Sequence, residues 1–127
     1  MSSERLIYLP LGGAGEIGMN AYVYGYGPEG AERLIVVDLG VSFPDMDGTP
    51  GVDLILPDIS WLIAQKHRVE AIFITHAHIG HYTGLMYLGR EVIGADQVPF
   101  YVMPKMKQYL MNNGPWSQLV SLNNITL

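Results

Sequence analysis

The chain has 127 residues, of which 49% are hydrophobic and 15% are charged, and its formal net charge is −5. This length and composition predict one globular domain and exclude a disordered chain. The negative charge argues against general attraction to nucleic acid, which depends on Lys and Arg, so a polyanionic substrate would need a local cationic site such as a metal. Because the chain has no cysteine, any zinc must be held by histidines and carboxylates.

The sequence carries no sign of export or of membrane insertion. Its first residues lack the basic start and the apolar run of a signal peptide. No stretch approaches the roughly 20 apolar residues of a membrane span. We therefore expect a cytoplasmic protein that makes no membrane contact.

Three β-strands are predicted in the first third of the chain. They occupy residues 6–11, 20–26 and 34–37, and glycine-rich connections separate them. The short connections predict an antiparallel meander. A long, proline-punctuated loop follows over residues 41–57, and loops of this length often border sites.

Strands and helices alternate in the rest of the chain. This alternation predicts an α/β or α+β fold with mixed strand directions. We expect one domain over residues 1–127, and its abrupt end suggests that it is part of something larger. The predicted elements are a helix over residues 57–67, a strand over 69–75, a helix over 84–93, a strand over 98–103, a helix over 104–113 and a strand within 121–127.

Three of the four histidines fall within six positions, directly after the strand predicted over residues 69–75. In a loop that leaves a strand, His76 and His78 can converge on one ion, and His81 is close enough to serve the same ion or a neighbouring one. Neutral imidazole is a good ligand for zinc, manganese, iron or nickel. These three histidines are therefore candidate metal ligands, and the alternative is that they only satisfy local hydrogen bonds. His67, in a polar stretch, is predicted to be solvated.

A glycine motif, with Gly13, Gly15 and Gly18, follows the first predicted strand. It matches the dinucleotide-binding pattern, with Asp38 about twenty residues farther on. That pattern requires a helix that begins at the glycines, because the pyrophosphate rests on the amino end of the helix. Residues 19–26 alternate like a strand instead. We therefore expect a tight turn between strands, whose backbone can approach a substrate and form the floor of a cleft.

Asp38 ends a buried strand and has two interpretations. It is either a carboxylate that orients a metal-bound histidine or a residue that stabilises a turn, and we favour the first. We assign no residue as a catalytic acid or base. Asp45, Asp47 and Asp53 do not fit the spacing of a twelve-residue calcium loop and are predicted to be solvated. Trp116 is expected to pack in the core.

Four motifs carry a family resemblance. They are Leu-Gly-Gly-Ala-Gly-Glu-Ile-Gly-Met-Asn from position 11, Asp-Leu-Gly-Val-Ser-Phe-Pro from position 38, Pro-Asp-Ile-Ser from position 57 and Ile-Thr-His-Ala-His from position 74. Over residues 5–78 the sequence resembles the ribonuclease J branch of the metallo-β-lactamase fold superfamily. Residues 79–127 look similar to another branch of the same superfamily.

The resemblance implies a fold, a chemistry and a set of site residues. The fold would be the first half of an αββα sandwich, with a mixed sheet and flanking helices. The activity would be hydrolysis of RNA or of another phosphodiester by a zinc-activated water. His76 and His78 match ligands of a first zinc, His81 matches a ligand of a second zinc, and Asp38 matches the acid that buttresses the site. One zinc ion is expected rather than two, with manganese as the alternative metal.

The chain departs from the family pattern at the second metal. Gly80 stands where the family has an aspartate, and no histidine follows His81. Two further hypotheses therefore stay open. In the first, the chain is a non-catalytic or partner-dependent half-domain that forms a homo-oligomer through an unfinished sheet edge. In the second, it is a metallo-hydrolase of small molecules.

Overall fold

A mixed β-sheet organises the computed structural model, which describes residues 3–44 and 50–127. In this part of the chain the sheet has six strands, and their order in space is their order in sequence. The strands are β1 (Glu4–Gly12), β2 (Ala21–Pro28), β3 (Arg33–Val37), β4 (Val69–Phe73), β5 (Val98–Tyr101) and β6 (Ile125–Thr126).

The strand directions divide the sheet into two parts. The strands β1, β2 and β3 form the antiparallel meander that the sequence predicts. From β3 to β6 every neighbouring pair is parallel. Since β1 and β3 both run against β2, the carboxyl ends of β1, β3, β4 and β5 lie at one edge of the sheet. In sheets with parallel strands, this is the edge where ligands bind.

Short helices flank the sheet. A mixed sheet with flanking helices confirms the α/β fold class and corresponds to half of a metallo-β-lactamase fold. The α-helices are α1 (Ser60–Ala64), α2 (Ile79–Tyr82), α3 (Pro104–Asn112) and α4 (Trp116–Ser121), and 3₁₀ turns cover Lys66–Arg68 and Thr83–Leu88.

The prediction of an α-helix over residues 84–93 is wrong. The chain there forms the 3₁₀ segment Thr83–Leu88 and then turns. Gly84 donates its backbone N–H to the Leu39 carbonyl at 2.7 Å instead of continuing a helix, and a Cβ atom at Gly84 would lie 2.6 Å from that oxygen. Gly89 then has an extended backbone, with ψ at 164°. Contact with the loop after β3 therefore overrides the local helical pattern.

Two further predictions misplace the ends of elements. The helix predicted over residues 57–67 begins only at Ser60, whose backbone N–H donates to the carboxylate of Asp58 at 2.9 Å. The strand expected within residues 121–127 is limited to β6. Helix α4, which the sequence did not predict, takes the preceding residues and buries Trp116 in the core, as expected for that side chain.

One face of the sheet is covered and the other is open. The covered face packs against α3, α4 and the segment after β4 to form the core. The open face carries large apolar side chains in paired positions across the strands, and the rings of Phe73 and Tyr101 stack there at 4.8 Å. This open aromatic face consists mainly of Leu6, Tyr8, Tyr24, Tyr26, Phe73 and Tyr101, all of them exposed.

A buried carboxylate ties the amino end of the sheet to the connection before β4. Glu32 is 1% exposed, and its two oxygens accept hydrogen bonds of 2.6 Å from Arg5 and Arg68. A hydrogen bond from its own backbone N–H, together with these two guanidinium groups, lowers the pKa of Glu32 to about 2 against the opposing effect of burial. The cluster therefore holds a charge that the surrounding groups fully satisfy.

Candidate metal centre

The parallel pairing of β3 and β4 brings Asp38 next to the histidine loop. Asp38 follows the last residue of β3 and donates its backbone N–H to the carbonyl of Phe73, the last residue of β4, at 2.8 Å. Its φ of +62° lies in the left-handed region, which aspartate tolerates better than most residues and which turns the chain away from the sheet. Asp38 and Thr75 therefore meet at the carboxyl edge.

The carboxylate of Asp38 is almost fully buried and accepts several hydrogen bonds. Thr75 donates its backbone N–H to Oδ1 at 2.8 Å and its hydroxyl to Oδ2 at 2.8 Å. The Nδ1 atom of His81 lies 2.6 Å from Oδ2. Asp38 therefore positions one histidine and the residue that precedes another. Its orienting role toward a bound metal stays a prediction.

Both ring nitrogens of His81 have partners. Because Asp38 accepts, Nδ1 of His81 is the donating nitrogen, and Nε2 faces a different partner. The side-chain amide of Asn20 lies 3.1 Å from that Nε2 and can donate to it. A metal ion would have to displace Asn20 to reach this nitrogen.

His76 has a different arrangement. The Thr75 hydroxyl donates to Asp38, so its oxygen accepts from Nδ1 of His76 at 2.9 Å. The proton on Nδ1 leaves Nε2 of His76 with a free lone pair, as a metal ligand requires. Loss of hydration and the nearby rings of His81 and His78 lower the pKa of His76, while Asp38 opposes the shift. His76 is therefore neutral at neutral pH.

The three histidine rings form one group. The ring centroids of His76 and His78 are 4.7 Å apart, and those of His76 and His81 are 3.9 Å apart. Within residues 3–44 and 50–127, however, no three His, Asp or Glu side chains are arranged to hold a metal ion. Zinc sites use three or four protein ligands. The donors thus suit zinc in kind but fall short in number. That His76 and His78 form half of a zinc site stays a prediction.

Backbone hydrogen bonds fix the histidine loop against two other loops. The Gly80 carbonyl accepts from the N–H of Asn20 at 3.0 Å, and the His81 carbonyl accepts from the N–H of Leu39 at 2.8 Å. Gly40 donates to the Asn20 carbonyl at 2.9 Å, and a Cβ atom on Gly40 would lie only 1.4 Å from the Gly80 oxygen. The three loops can meet only because position 40 has no side chain.

A cleft of about 560 Å³ opens beside the histidines. Of the three glycines predicted to form its floor, Gly18 lines it, together with His78 and His81, whereas Gly13 and Gly15 do not. All three have φ near +80° to +90°, which glycine adopts without strain. Strand β2 follows them instead of a helix, so the arrangement of a dinucleotide site is absent from the described glycine loop.

The sequence did not single out Thr75 and Asn20, although both contact the candidate ligands. The hydroxyl of Thr75 forms hydrogen bonds with both Asp38 and His76, and the side-chain amide of Asn20 contacts Nε2 of His81. The only available signals were the position of Thr75 between a buried strand and a histidine, and of Asn20 at the end of the glycine loop. Neither position alone specifies a partner that lies many residues away.

The other candidate residues lie outside this group. His67 is exposed in the 3₁₀ turn Lys66–Arg68, and Asp53 is exposed in the long loop, as predicted for both. Asp45 and Asp47 fall outside the residues that the structure describes. Among the described helices, none has the length and apolar character needed to cross a bilayer.

The fold and the histidine loop define a segment of metallo-β-lactamase type. No protein-family model matches the chain. Ribonuclease J of Sinorhizobium meliloti is 50% identical over 101 residues, which cover 80% of this chain and 17% of that protein. Ribonuclease J of Thermus thermophilus is 40% identical over 99 residues, or 77% of this chain and 16% of the relative. Ribonuclease J2 of Bacillus subtilis is 38% identical over 112 residues, or 85% of this chain and 19% of the relative.

Within that class, the chain is a ribonuclease J-like segment. It spans less than a fifth of the length of these relatives, as the shares of 17%, 16% and 19% show. The similarity also extends past the region 5–78, because a match of 101 residues cannot fit within the first 78 positions. The likeness of residues 79–127 to another branch stays a prediction.

Proposed function

We propose that the chain is part of a metal-dependent hydrolase that cleaves RNA or another phosphodiester. The observation that carries the proposal is the pair His76 and His78, placed beside the buried Asp38 at the carboxyl edge of the sheet. The names of the relatives, which are ribonucleases, support the substrate class. A cytoplasmic location belongs to the same proposal.

In this proposal His76 and His78 hold one zinc ion, with manganese as the alternative. When bound, such a metal supplies positive charge near the phosphate and makes a water molecule more acidic. The chain's own residues set the protonation of the ligands. Nδ1 of His76 donates to the Thr75 oxygen, and Nδ1 of His81 donates to Asp38, so Nε2 is the ring nitrogen of each that can face a metal.

The cleft suits a single-stranded substrate. Gly18 has no side chain, so a phosphodiester backbone can approach the loop closely. Ile17 and Phe43 also line the cleft and are 97% and 60% exposed, so they can contact unpaired bases. Bases that are not paired commonly stack on aromatic side chains. In an acidic chain, such contacts and the metal take the place of a basic surface.

Zinc uptake and RNA cleavage test the proposal together. The wild-type chain, His76→Ala and His78→Ala are dialysed against zinc, and the bound metal is measured by atomic emission. The same samples are incubated with an end-labelled single-stranded RNA. His67→Ala is the matched control, because His67 is exposed and lies outside the histidine loop. We expect both loop variants to lose zinc and turnover, and the control to keep both.

Two results would count against the proposal. If His76→Ala binds as much zinc as the wild type, the histidine pair is not the metal site. If the zinc-loaded wild type cleaves a nitrophenyl phosphodiester, a lactam or a thioester but not RNA, the chain is a hydrolase of small molecules.

A second candidate function is that of a non-catalytic segment with an incomplete metal site. The observations that favour it are Gly80 in place of the family's aspartate and the contact of Asn20 with Nε2 of His81. It predicts weak zinc binding, no turnover and association with other chains through the edge strand β1. Sedimentation equilibrium, combined with the RNA cleavage assay, distinguishes the two candidates. A chain that is monomeric and cleaves RNA excludes the second.

A further inference from the structure

The open aromatic face is continuous across the sheet. Strand pairing arranges its side chains in rows that cross neighbouring strands. One row contains Tyr8, Tyr24, Ile35 and Ala71, and the row nearer the carboxyl edge contains Pro10, Tyr22, Val37, Phe73 and Tyr101. Successive side chains of a strand point to opposite faces, so these rows point away from α3 and α4, which pack on the covered face.

Charged side chains lie only at one border of this face in the described part of the chain. Glu4 and Arg33 lie at its amino edge. The carboxylate of Glu4 accepts a hydrogen bond from the Tyr26 hydroxyl. The guanidinium of Arg33 donates to Glu70 at 2.6 and 2.7 Å. An apolar centre with a polar border is typical of a protein–protein interface. It does not suit RNA, because a surface that stacks bases also needs cations for the phosphates.

The exposed area of the face approaches what each partner of a stable dimer buries. The six side chains that define the face range in exposure from 37% for Phe73 to 75% for Leu6. An aromatic side chain has roughly 150–250 Å² of surface, so the six together present about 600 Å² to water. Pro10 and Pro99 are also exposed and extend this area. Each partner in a standard interface contributes about 800 Å². Monomers rarely expose apolar patches larger than about 600 Å².

A second copy of the chain presents a surface that matches this face. A sheet with an apolar face is stable when another layer covers that face. Two sheets with the same twist pack face to face about 10 Å apart, with their strands within about 30° of each other. A two-fold axis in the plane of the contact therefore places one open aromatic face on the other. The resulting dimer has four layers, with both sheets inside and α3 and α4 of each copy outside.

We propose that two copies of the chain associate through their open aromatic faces. The same residues are buried on both copies, as a two-fold contact requires. Rings of one copy contact rings of the other, and aromatic pairs contribute beyond the area that they bury. Each chain has a net charge of −5, but the described charges of the face lie at its border, so the centre of the contact brings no carboxylates together.

This contact is separate from the surfaces considered above. It uses the face of the sheet and not the edge strand β1, and it includes no residue of the histidine loop. The proposal therefore does not depend on the hydrolase function. Below the dissociation constant of the dimer, the chain is a monomer whose open aromatic face is in water.

Sedimentation equilibrium of the full chain tests the dimer. We expect the wild type to show twice the mass of one chain at about 100 μM, with a dissociation constant in the micromolar range. Tyr24→Lys and Tyr101→Lys each place one ammonium group per copy in the contact, and each should weaken the dimer at least hundredfold. Both residues lie on inner strands, so the backbone of the sheet edges stays unchanged.

Met111→Lys is the matched control, because Met111 is exposed on α3 and adds the same charge outside the open aromatic face. It should dimerise like the wild type. Circular dichroism shows whether each variant is folded. If Tyr24→Lys and Tyr101→Lys do not fold, Leu6→Lys decides the result, because Leu6 is the most exposed of the six side chains.

Three results would overturn the proposal. The first is a wild type that stays monomeric at about 100 μM, which would leave the face to a different partner. The second is a set of folded lysine variants that dimerise like the wild type, which would assign the contact to another surface. The third is a mass that rises beyond the dimer without a limit, as edge-to-edge pairing of strands would produce.

Discussion

The Nδ1 atom of His81 donates a hydrogen bond of 2.6 Å to Oδ2 of Asp38, a residue 43 positions earlier in the chain. This bond joins the loop after β3 to the loop after β4 at the carboxyl edge of the sheet. Together with the hydrogen bonds from Thr75, it makes Asp38 the centre of the site's polar contacts. Stability and metal binding should therefore both respond to changes around this carboxylate.

Replacement of Asp38 should destabilise the chain. Asp38→Asn keeps a side chain that tolerates the left-handed backbone and should cost about 1–2 kcal/mol, because one charged acceptor is lost. Asp38→Ala should cost about 3 kcal/mol, because it leaves the buried partners at Thr75 and His81 without an acceptor. Urea denaturation measures both values. Asp53→Asn is the exposed control, and an equal loss in all three variants would contradict the central role of Asp38.

Removal of the Asn20 side chain should improve zinc binding. Asn20→Ala frees Nε2 of His81 but keeps the backbone hydrogen bond to Gly80, so a third imidazole becomes available. We expect zinc to bind about tenfold more tightly, as measured by competition with a chromogenic chelator. Asn112→Ala is the control, since that side chain bonds only within its own helix. Weaker binding in Asn20→Ala would mean that Asn20 supports the site.

Gly40 should tolerate no side chain. A Cβ atom there would overlap the carbonyl of Gly80, so Gly40→Ala should cost about 3 kcal/mol or more and separate the histidine loop from its neighbours. Gly15→Ala is the matched control, because nothing lies within 4 Å of the added atom and only its positive φ is strained. That strain costs about 1 kcal/mol. Similar unfolding free energies for the two variants would exclude the predicted clash.

Gly80→Asp restores the carboxylate of the family pattern and should raise zinc occupancy. The added Cβ atom would lie 3.0 Å from Cα of Gly18, so the glycine loop must shift by a few tenths of an ångström. Gly80→Ala measures that steric cost alone, which we expect to be about 1 kcal/mol. Equilibrium dialysis then compares the metal content of the two variants. Equal zinc content would show that the second site does not form in this chain.

The cluster around Glu32 should make stability depend on acid pH. The pKa of Glu32 is about 2 in the folded chain and lies in the ordinary range, near 4.5, in the unfolded chain. A lowered folded pKa contributes stability above the unfolded pKa, and this contribution is lost as the pH falls toward 2. Glu32→Gln should therefore flatten the decline in stability between about pH 4.5 and 2. A decline of unchanged steepness in urea titrations would contradict this prediction.

The strands were predictable because their side chains alternate or form short apolar runs, as in residues 20–26 and 34–37. The helix predicted over residues 84–93 failed because Gly84 bonds to a loop that is distant in sequence. A periodic pattern describes local preference, and such a long-range bond is invisible to it. Helix α4 was not predicted either, because its position depends on packing against the core and its sequence shows no clear helical pattern.

The sequence identified the candidate ligands of the site, but it could not predict the contacts that support them. Three histidines close in sequence identified the loop, and the end of a buried strand identified Asp38. Which histidine Asp38 contacts depends on the parallel pairing of β3 with β4, and that pairing places it on His81. The contact of Asn20 with His81 depends in turn on how the glycine loop folds over the carboxyl edge of the sheet.

The open aromatic face has a consequence for the thermodynamics of unfolding. Side chains such as Tyr8, Tyr26 and Tyr101 are already more than half in contact with water in the folded chain, with exposures of 53%, 56% and 56%. Unfolding therefore hydrates less new apolar surface than in a domain with both sheet faces covered. The heat capacity of unfolding should fall below the usual value of about 12–15 cal/mol/K per residue. The free energy of unfolding should accordingly depend only weakly on temperature between low and moderate temperatures.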